Sequence, residues 1–262
     1  MPDLIDTHAH LDMQDFDSDR AEVIARALAA GVGRIVTVGT DIDSSRKAIA
    51  LAEIYPQVYA AVGIHPHDAD RAGDAYITRL EELAKHPRVV AIGETGLDFY
   101  RNYSTREAQF SVLREQLELA VRVNLPVIIH ARQATAEMIQ VLTEWTKRHR
   151  DREARPRGVI HFFNGDVNAA WKYVELGFYI SFAGPVSYPN SHAPQVAKTV
   201  PPDRVLVETD CPFLTHQKYR GTRNEPAYVR LTAETLAEAL GIPFEEFARQ
   251  TTENAVRLFK FQ

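Results

Sequence analysis

Ile5-Asp6-Thr7-His8-Ala9-His10 opens the chain with an apolar start and two imidazoles two positions apart. On a strand, residues i and i+2 face the same side, so His8 and His10 can reach one ion. Four later segments follow the same plan: Val90-Ala91-Ile92-Gly93-Glu94, Val127-Ile128-Ile129-His130, Gly158-Val159-Ile160-His161 and Val205-Leu206-Val207-Glu208-Thr209-Asp210. Each is a β-branched or apolar run closed by His, Glu or Asp. Such runs read as buried parallel strands whose last residue points out of the sheet. In barrel enzymes the C-terminal strand ends carry the chemistry. One such segment has little weight. Five together indicate an α/β protein, a (β/α)8 TIM barrel of the metallo-dependent hydrolase type.

The spacing agrees. Eight units in about 250 residues give roughly 31 residues per βα unit. Glu94 and His130 are 36 positions apart and His130 and His161 are 31, one unit each. His161 and Asp210 are 49 apart, room for two short units with Phe178-Tyr179-Ile180-Ser181-Phe182 as the strand between. His8 and Glu94 are 86 apart, three units, filled by Arg34-Ile35-Val36-Thr37-Val38-Gly39 and Val58-Tyr59-Ala60-Ala61-Val62-Gly63. The donors then fall on strands one, four, five, six and eight. Helical patterns cover 19–30, 43–54, 76–85, 105–123, 134–148, 167–176, 192–200 and 227–239. Asp43-Ser44-Ser45 and Ser104-Thr105 supply caps, and Gly31, Gly177 and Gly241 suit helix ends. A last helix is expected over 252–259, after Ile242-Pro243-Phe244-Glu245-Glu246-Phe247, closing the barrel bottom or packing on its side. The charged stretch 149–156 reads as a solvated loop. No domain boundary is visible, so residues 1–262 read as one domain.

Composition fits this reading. The 262 residues are long enough for one barrel and a large core. No apolar stretch approaches the roughly 20 residues of a membrane span. Asp3, Asp6, His8 and Asp12 stand where a signal peptide needs a basic start and an apolar core. A single cysteine, Cys211, excludes an internal disulfide and suits a reducing cytoplasm. The net charge of −5 argues against broad binding to a nucleic-acid backbone, though not against a nuclease acting on an end or a single strand. A monomer or weak oligomer is expected.

The donor types define the chemistry. His8 and His10 can share one ion, and His130 and His161, on adjacent strands, a second. Glu94 has two oxygens and can bridge them. Asp210 can bind the first ion and hold the attacking water as general base. Imidazole with carboxylate suits two divalent cations such as Zn, Mn or Mg. Burying so many ionisable groups around one barrel mouth without a cation costs several kcal/mol.

These residues resemble a known family, the TatD-type metal-dependent deoxyribonucleases of the amidohydrolase superfamily. The matching segments are Ile5-Asp6-Thr7-His8-Ala9-His10-Leu11, Gly63-Ile64-His65-Pro66-His67 and Gly93-Glu94-Thr95-Gly96-Leu97-Asp98-Phe99-Tyr100. They continue through Gln109-Phe110, Pro126-Val127-Ile128-Ile129-His130-Ala131-Arg132, His161-Phe162-Phe163-Asn164-Gly165, Glu208-Thr209-Asp210-Cys211-Pro212-Phe213-Leu214 and Arg223-Asn224-Glu225-Pro226. The match runs in order from Leu4 to about Phe259. The resemblance implies a barrel with two divalent metals that hydrolyses DNA phosphodiesters, often as a 3'-5' exonuclease. By motif position, His8, His10, Glu94 and Asp210 would hold one metal, and Glu94, His130 and His161 the other. No lysine ends any of these strands, which sets the chain apart from superfamily branches that bridge their metals with a carboxylated lysine.

Around the ligands, His65 faces the same mouth and is expected to contact a substrate phosphate or shuttle a proton, with His67 beside it. Arg132 can offer a phosphate its fork of donors. Arg223 and Asn224 lie in a Gly-containing loop before a Pro-started helix, which suits an anion. Phe99, Tyr100, Phe162, Phe163 and Phe213 flank the ligands, where aromatics either stack on a base or join the core. The chain departs from the family pattern at Gln133, Phe162, Cys211 and Thr222. None of these removes a ligand; they bear on the substrate, which is DNA, as single strands or ends, or a small phosphoester. The alternatives are a small-molecule amidohydrolase or phosphoesterase on the same barrel and, more remotely, a non-catalytic binding barrel. Cys211 reads as a packing residue.

Overall fold

The computed structural model describes residues 3–150 and 157–261; the rest of the charged loop expected over 149–156 lies outside them. Eight parallel strands pair in chain order: β1 (Leu4–Ala9), β2 (Val32–Val38), β3 (Val58–Val62), β4 (Val89–Asp98), β5 (Val127–Arg132), β6 (Gly158–Ile160), β7 (Phe178–Phe182) and β8 (Val205–Val207). Helices follow them in turn: α1 (Arg20–Ala29), α2 (Ile42–Ile54), α3 (Tyr76–Leu83), α4 (Arg106–Arg122), α5 (Thr135–Arg148), α6 (Val167–Glu175), α7 (Ala193–Ala197) and α8 (Val229–Leu240), with α9 (Phe244–Phe259) at the end. This is the (β/α)8 barrel expected from the spacing.

Closure between β1 and β8 runs through backbone and side chains together. Ala9 bridges Cys211, the Asp210 N–H donates to His8 O at 2.9 Å, and the His10 N–H donates to Cys211 O at 2.8 Å. Below them the fully buried Asp6 accepts the Thr209 N–H at 2.9 Å and the Thr209 hydroxyl at 2.6 Å, while Thr7 donates to Val207 O. These bonds join the two ends of the sheet at the strand that supplies His8 and His10.

The barrel interior takes at least one apolar residue from every strand: Ile5, Val36, Tyr59, Val90, Ile128, Val159, Tyr179 and Leu206, joined by Val38, Ala61 and Ala91. Ala255, Leu258 and Phe259 of α9 complete this cluster, so the last helix covers the end of the barrel remote from the donors. It begins at Phe244, eight residues before the expected start at 252. Pro243 stands immediately before it and Glu245 and Glu246 occupy its first turn, favourable chemistry for a helix start. The cap of α2 also differs from expectation. Asp41, not Asp43, accepts the Ser44 N–H, and Ser44 reaches back to Asp41, a reciprocal box. Thr105 caps α4 as expected, accepting the Ala108 N–H. Gly241 ends α8 at φ +71°, a conformation glycine adopts without the steric cost a side chain would bring.

Asp6→Ala would leave the Thr209 N–H and hydroxyl buried without an acceptor. It is expected to destabilise the fold by about 2–4 kcal/mol in urea denaturation, whereas Asp6→Asn, which keeps an acceptor and the shape, should lose less than half of that.

Candidate metal centre

Two local irregularities aim the donors. The β1–β2 register shifts between Asp6 and Ala9, around His8, and the β4–β5 ladder shifts around Glu94, between Ile92 and Thr95. Such shifts re-aim side chains at strand ends. β4 then continues past Glu94 to Asp98, with Gly96 beside His130. A Cβ on Gly96 would stand 1.9 Å from His130 O, so only glycine lets the two strands approach there. Asp210 itself sits at φ +58°, held by its bond to His8 O.

The result is one buried cluster with two halves. In the first, His8 Nε2 lies 3.2 Å from His10 Nε2, 3.4 Å from Glu94 Oε2 and 3.8 Å from Asp210 Oδ1. His10 Nε2 lies 3.8 Å from Glu94 Oε2 and 3.5 Å from Asp210 Oδ1. In the second, Glu94 Oε1 lies 2.8 Å from both His130 Nδ1 and His161 Nε2, which are 3.4 Å apart, with His65 Nε2 at 3.4 Å. Donors about 2.1 Å from a common tetrahedral centre stand about 3.4 Å apart. The donor spacing therefore suits divalent-metal binding, with the two oxygens of Glu94 facing different halves.

Outer contacts leave the inward nitrogens free to coordinate. His10 Nδ1 donates to Val38 O at 2.8 Å, His130 Nε2 to Asp98 Oδ2 at 3.1 Å, and His161 Nδ1 to Glu208 Oε1 at 3.3 Å. Each of these three rings thus keeps its other nitrogen toward the cluster, where it would offer a lone pair to a bound cation, the orientation that outer hydrogen-bond partners impose on metal-binding histidines. His65 differs: its Nδ1 accepts the His67 N–H, so Nε2 carries a proton and acts as a donor toward Glu94.

The field of the cluster favours positive charge. Burial pushes Glu94 up, but His161, His65 and His130 overcome it and hold the carboxyl well below its usual range. Asp210 is likewise held low against burial by the His10 bond and by His8 and His161. Burial opposes a proton on His10, yet Asp210 and Glu94 bring it up to about 9. His161 is raised well above its ordinary value against burial by Glu94 and Glu208, and His130 is raised by Asp98 and Glu94. Burial takes His65 down to about 4, so it is neutral near pH 7. Protons on three imidazoles occupy the electrostatic place that divalent cations would take.

The structure brings His8, His10, Glu94, His130, His161, Asp210 and His65 together, as expected. It engages Arg223 and Asn224 in contacts within the framework. Arg223 makes a two-pronged bridge to Asp19, at 2.8 and 2.7 Å, and reaches Asp15 O. Asn224 is buried and donates to Thr209 O and Phe213 O, at 2.8 and 2.7 Å, so it holds the loop after β8 instead of facing solvent. Arg132 remains half-buried over the Tyr100 ring at 4.0 Å, with no carboxylate partner among the described residues. Phe99 and Phe163 are core residues, Phe162 is half-buried, and Tyr100 and Phe213 are exposed. Cys211 is fully buried, and burial pushes its thiol well up, consistent with packing.

Asp98 and Glu208 escaped the sequence reading. Asp98 is fully buried and accepts from His130, from His67 Nε2 at 2.9 Å and from the Tyr100 and Arg101 N–H groups. Glu208, also fully buried, joins His161 to the Phe162 N–H. The signal for Asp98 was alternation: residues 94, 96 and 98 share a strand face.

Comparison with known proteins agrees with this geometry. The family model described as TatD related DNase matches residues 5–260. An uncharacterized metal-dependent hydrolase of Bacillus subtilis strain 168, YabD, is 45% identical, over 98% of this chain and 99% of its own. The 3'-5' ssDNA/RNA exonuclease TatD of Cronobacter turicensis is 36% identical, over 98% of this chain and 97% of its own. The crystal structure of YJJV, a TatD homologue from Escherichia coli K12, superposes with a TM-score of 0.91 at 32% identity, covering 99% of this chain and 98% of that one.

Asp98→Asn should weaken divalent-metal binding in the His130 half by about ten- to a hundredfold, read by calorimetric titration. Unchanged affinity in both halves would show that the Asp98 contact does not orient a ligand.

Proposed function

Since the chain belongs to the TatD-related DNase family of metal-dependent hydrolases, we propose that it is a 3'-5' exodeoxyribonuclease with a dinuclear centre. The observation that carries this reading is the Glu94 carboxylate, one oxygen toward His8 and His10 and the other toward His130 and His161. His8, His10, Glu94 and Asp210 hold one cation, and Glu94, His130 and His161 the second. Zn, Mn or Mg, when bound, supplies Lewis-acid stabilisation and an acidified water. Asp210 is the more accessible of the two inner carboxylates, its side chain 12% exposed against 4% for Glu94. It accepts the proton of the attacking water. His65, neutral and carrying its proton on Nε2, donates to a phosphate oxygen of the substrate.

A basic, aromatic shelf supports a nucleic-acid substrate. Arg132 lies over Tyr100 at 4.0 Å, Arg106 over Phe99 at 3.8 Å and Arg101 over Tyr100 at 5.3 Å. None of these guanidiniums has a carboxylate partner among the described residues. Free forks of this kind grip phosphates, and the exposed Tyr100 offers a ring for stacking. Arg223 and Asn224 support the site through the loop after β8 and do not themselves grip the anion. One chain supplies all the donors, so a monomer or a weak oligomer would carry a complete centre. The net charge of −5 favours a second reading, hydrolysis of a small phosphoester by the same centre.

End-labelled single-stranded DNA incubated with metal-loaded protein should shorten progressively from its 3' end, stop with EDTA and resume when divalent metal is restored. Glu94→Ala and Asp210→Asn should reduce this to background. A Glu94→Ala protein with full activity and full metal content would contradict the dinuclear scheme, and metal-loaded wild type that cuts only small diesters would select the second reading. Arg132→Ala should raise KM for DNA by about ten- to a hundredfold with kcat nearly kept, and lysine should restore it only in part because it lacks the planar fork.

A further inference from the structure

The loops after β6 and β7 line an open-mouthed cavity of about 330 Å³ next to the donor cluster. Phe162 forms the wall between them. It follows His161 directly, and the two ring centres are 6.3 Å apart. The next residue, Phe163, turns into the core against Tyr173 and Phe182. Both rings touch the cavity, but Phe162 is half-buried and faces it without those core partners.

A left-handed backbone at Phe162, φ +46°, separates the two rings. A bulky residue keeps that conformation only where its surroundings impose it, and such positions concentrate at functional sites. Here Glu208 imposes it, accepting the Phe162 N–H at 2.6 Å, while the Phe163 N–H is tied to Ser181 O at 2.9 Å. The same carboxylate that orients His161 therefore fixes the aromatic wall beside it.

The lining selects by chemistry. Beyond Phe162 it includes Tyr188, Asn164, Asn190 and His192, and it contains no Lys, Arg, Asp or Glu. A space without acidic or guanidinium groups suits neither a free phosphate nor a small cation. Aromatic rings with amide donors and acceptors suit a neutral, planar group that stacks and hydrogen-bonds at its edge, as a nucleobase does. The volume is at the small end for ligand pockets, enough for a single base and not a run of them. The arginine shelf at the ends of β4 and β5, by contrast, is exposed and suits a continuing strand.

We propose that this cavity receives the base of the terminal nucleotide, while the scissile phosphodiester rests on the donors between cavity and shelf. The assignment rests on the nuclease reading above. Phe162 is the stacking residue, and its backbone, held by Glu208, couples the base pocket to the position of His161.

The test is steady-state hydrolysis of a single-stranded oligonucleotide, intact or with an abasic 3'-terminal residue. It compares wild type, Phe162→Ala, Phe162→Tyr and Ala193→Phe, the last filling the cavity from α7, with metal content measured for each. Phe162→Ala and Ala193→Phe should raise KM on the intact substrate by about tenfold, with a smaller change in kcat. Phe162→Tyr should restore KM. On the abasic substrate wild type and Phe162→Ala should become equal. Ala193→Phe keeps the test decisive if Phe162→Ala loses metal. Wild type that cuts DNA, with KM unchanged in metal-replete variants or with equal losses on both substrates, would overturn the cavity assignment alone. Metal-loaded wild type that cuts neither oligonucleotide would overturn the nuclease reading and this assignment with it.

Discussion

The division of the Glu94 carboxylate between two imidazole clusters is the constraint on which the rest of the site depends. A carboxylate with 4% of its side chain exposed is costly to bury. It is stable as an anion only because four histidines, His8, His65, His130 and His161, come within 3.4 Å of its oxygens. Those histidines come from β1, β5 and the loops that extend β3 and β6, so no single local segment could assemble the arrangement. The barrel does it by placing the strand ends in a ring, and the register shifts around His8 and Glu94 turn the side chains into that ring.

A second layer of acceptors, two carboxylates and one backbone carbonyl, sets the direction of three of the rings. Asp98 holds His130 and His67, Glu208 holds His161, and the Val38 carbonyl holds His10. Because these oxygens only accept, each contact fixes a proton on the outer nitrogen and leaves the inner one facing the cluster. The same layer reaches into the framework. Asp6 ties Thr209 beneath the site as the sheet closes, and Asn224 clamps the loop that carries Asp210 to Phe213. Stability and site geometry are therefore shared at the β1–β8 seam.

The inner donors were legible in the chain because two regularities coincide there. A parallel strand ends in a polar residue at the barrel mouth, and the βα period places the next one about 31 positions on. Asp98 was missed because β4 runs past its apparent end at Glu94, and Glu208 because Asp210, two positions later, drew the assignment. Arg223 and Asn224 read as anion binders from local pattern alone, but their partners are set by the fold. Asp19 lies 204 positions from Arg223. Phe162 and Phe163 are indistinguishable as letters; Phe163 packs on Tyr173 and Phe182, whereas Phe162 is held apart by Glu208, 46 positions on, which accepts its N–H. The early start of α9 was obscured by Pro243, which ends one element and begins the next.

The most direct test of the central claim is electron paramagnetic resonance of the protein loaded with two equivalents of Mn(II). Two ions sharing the Glu94 carboxylate should give an exchange-coupled spectrum that reverts to isolated Mn(II) signals in Glu94→Gln. Wild-type protein that shows only isolated, magnetically independent Mn(II) at full loading would contradict the bridging role of Glu94.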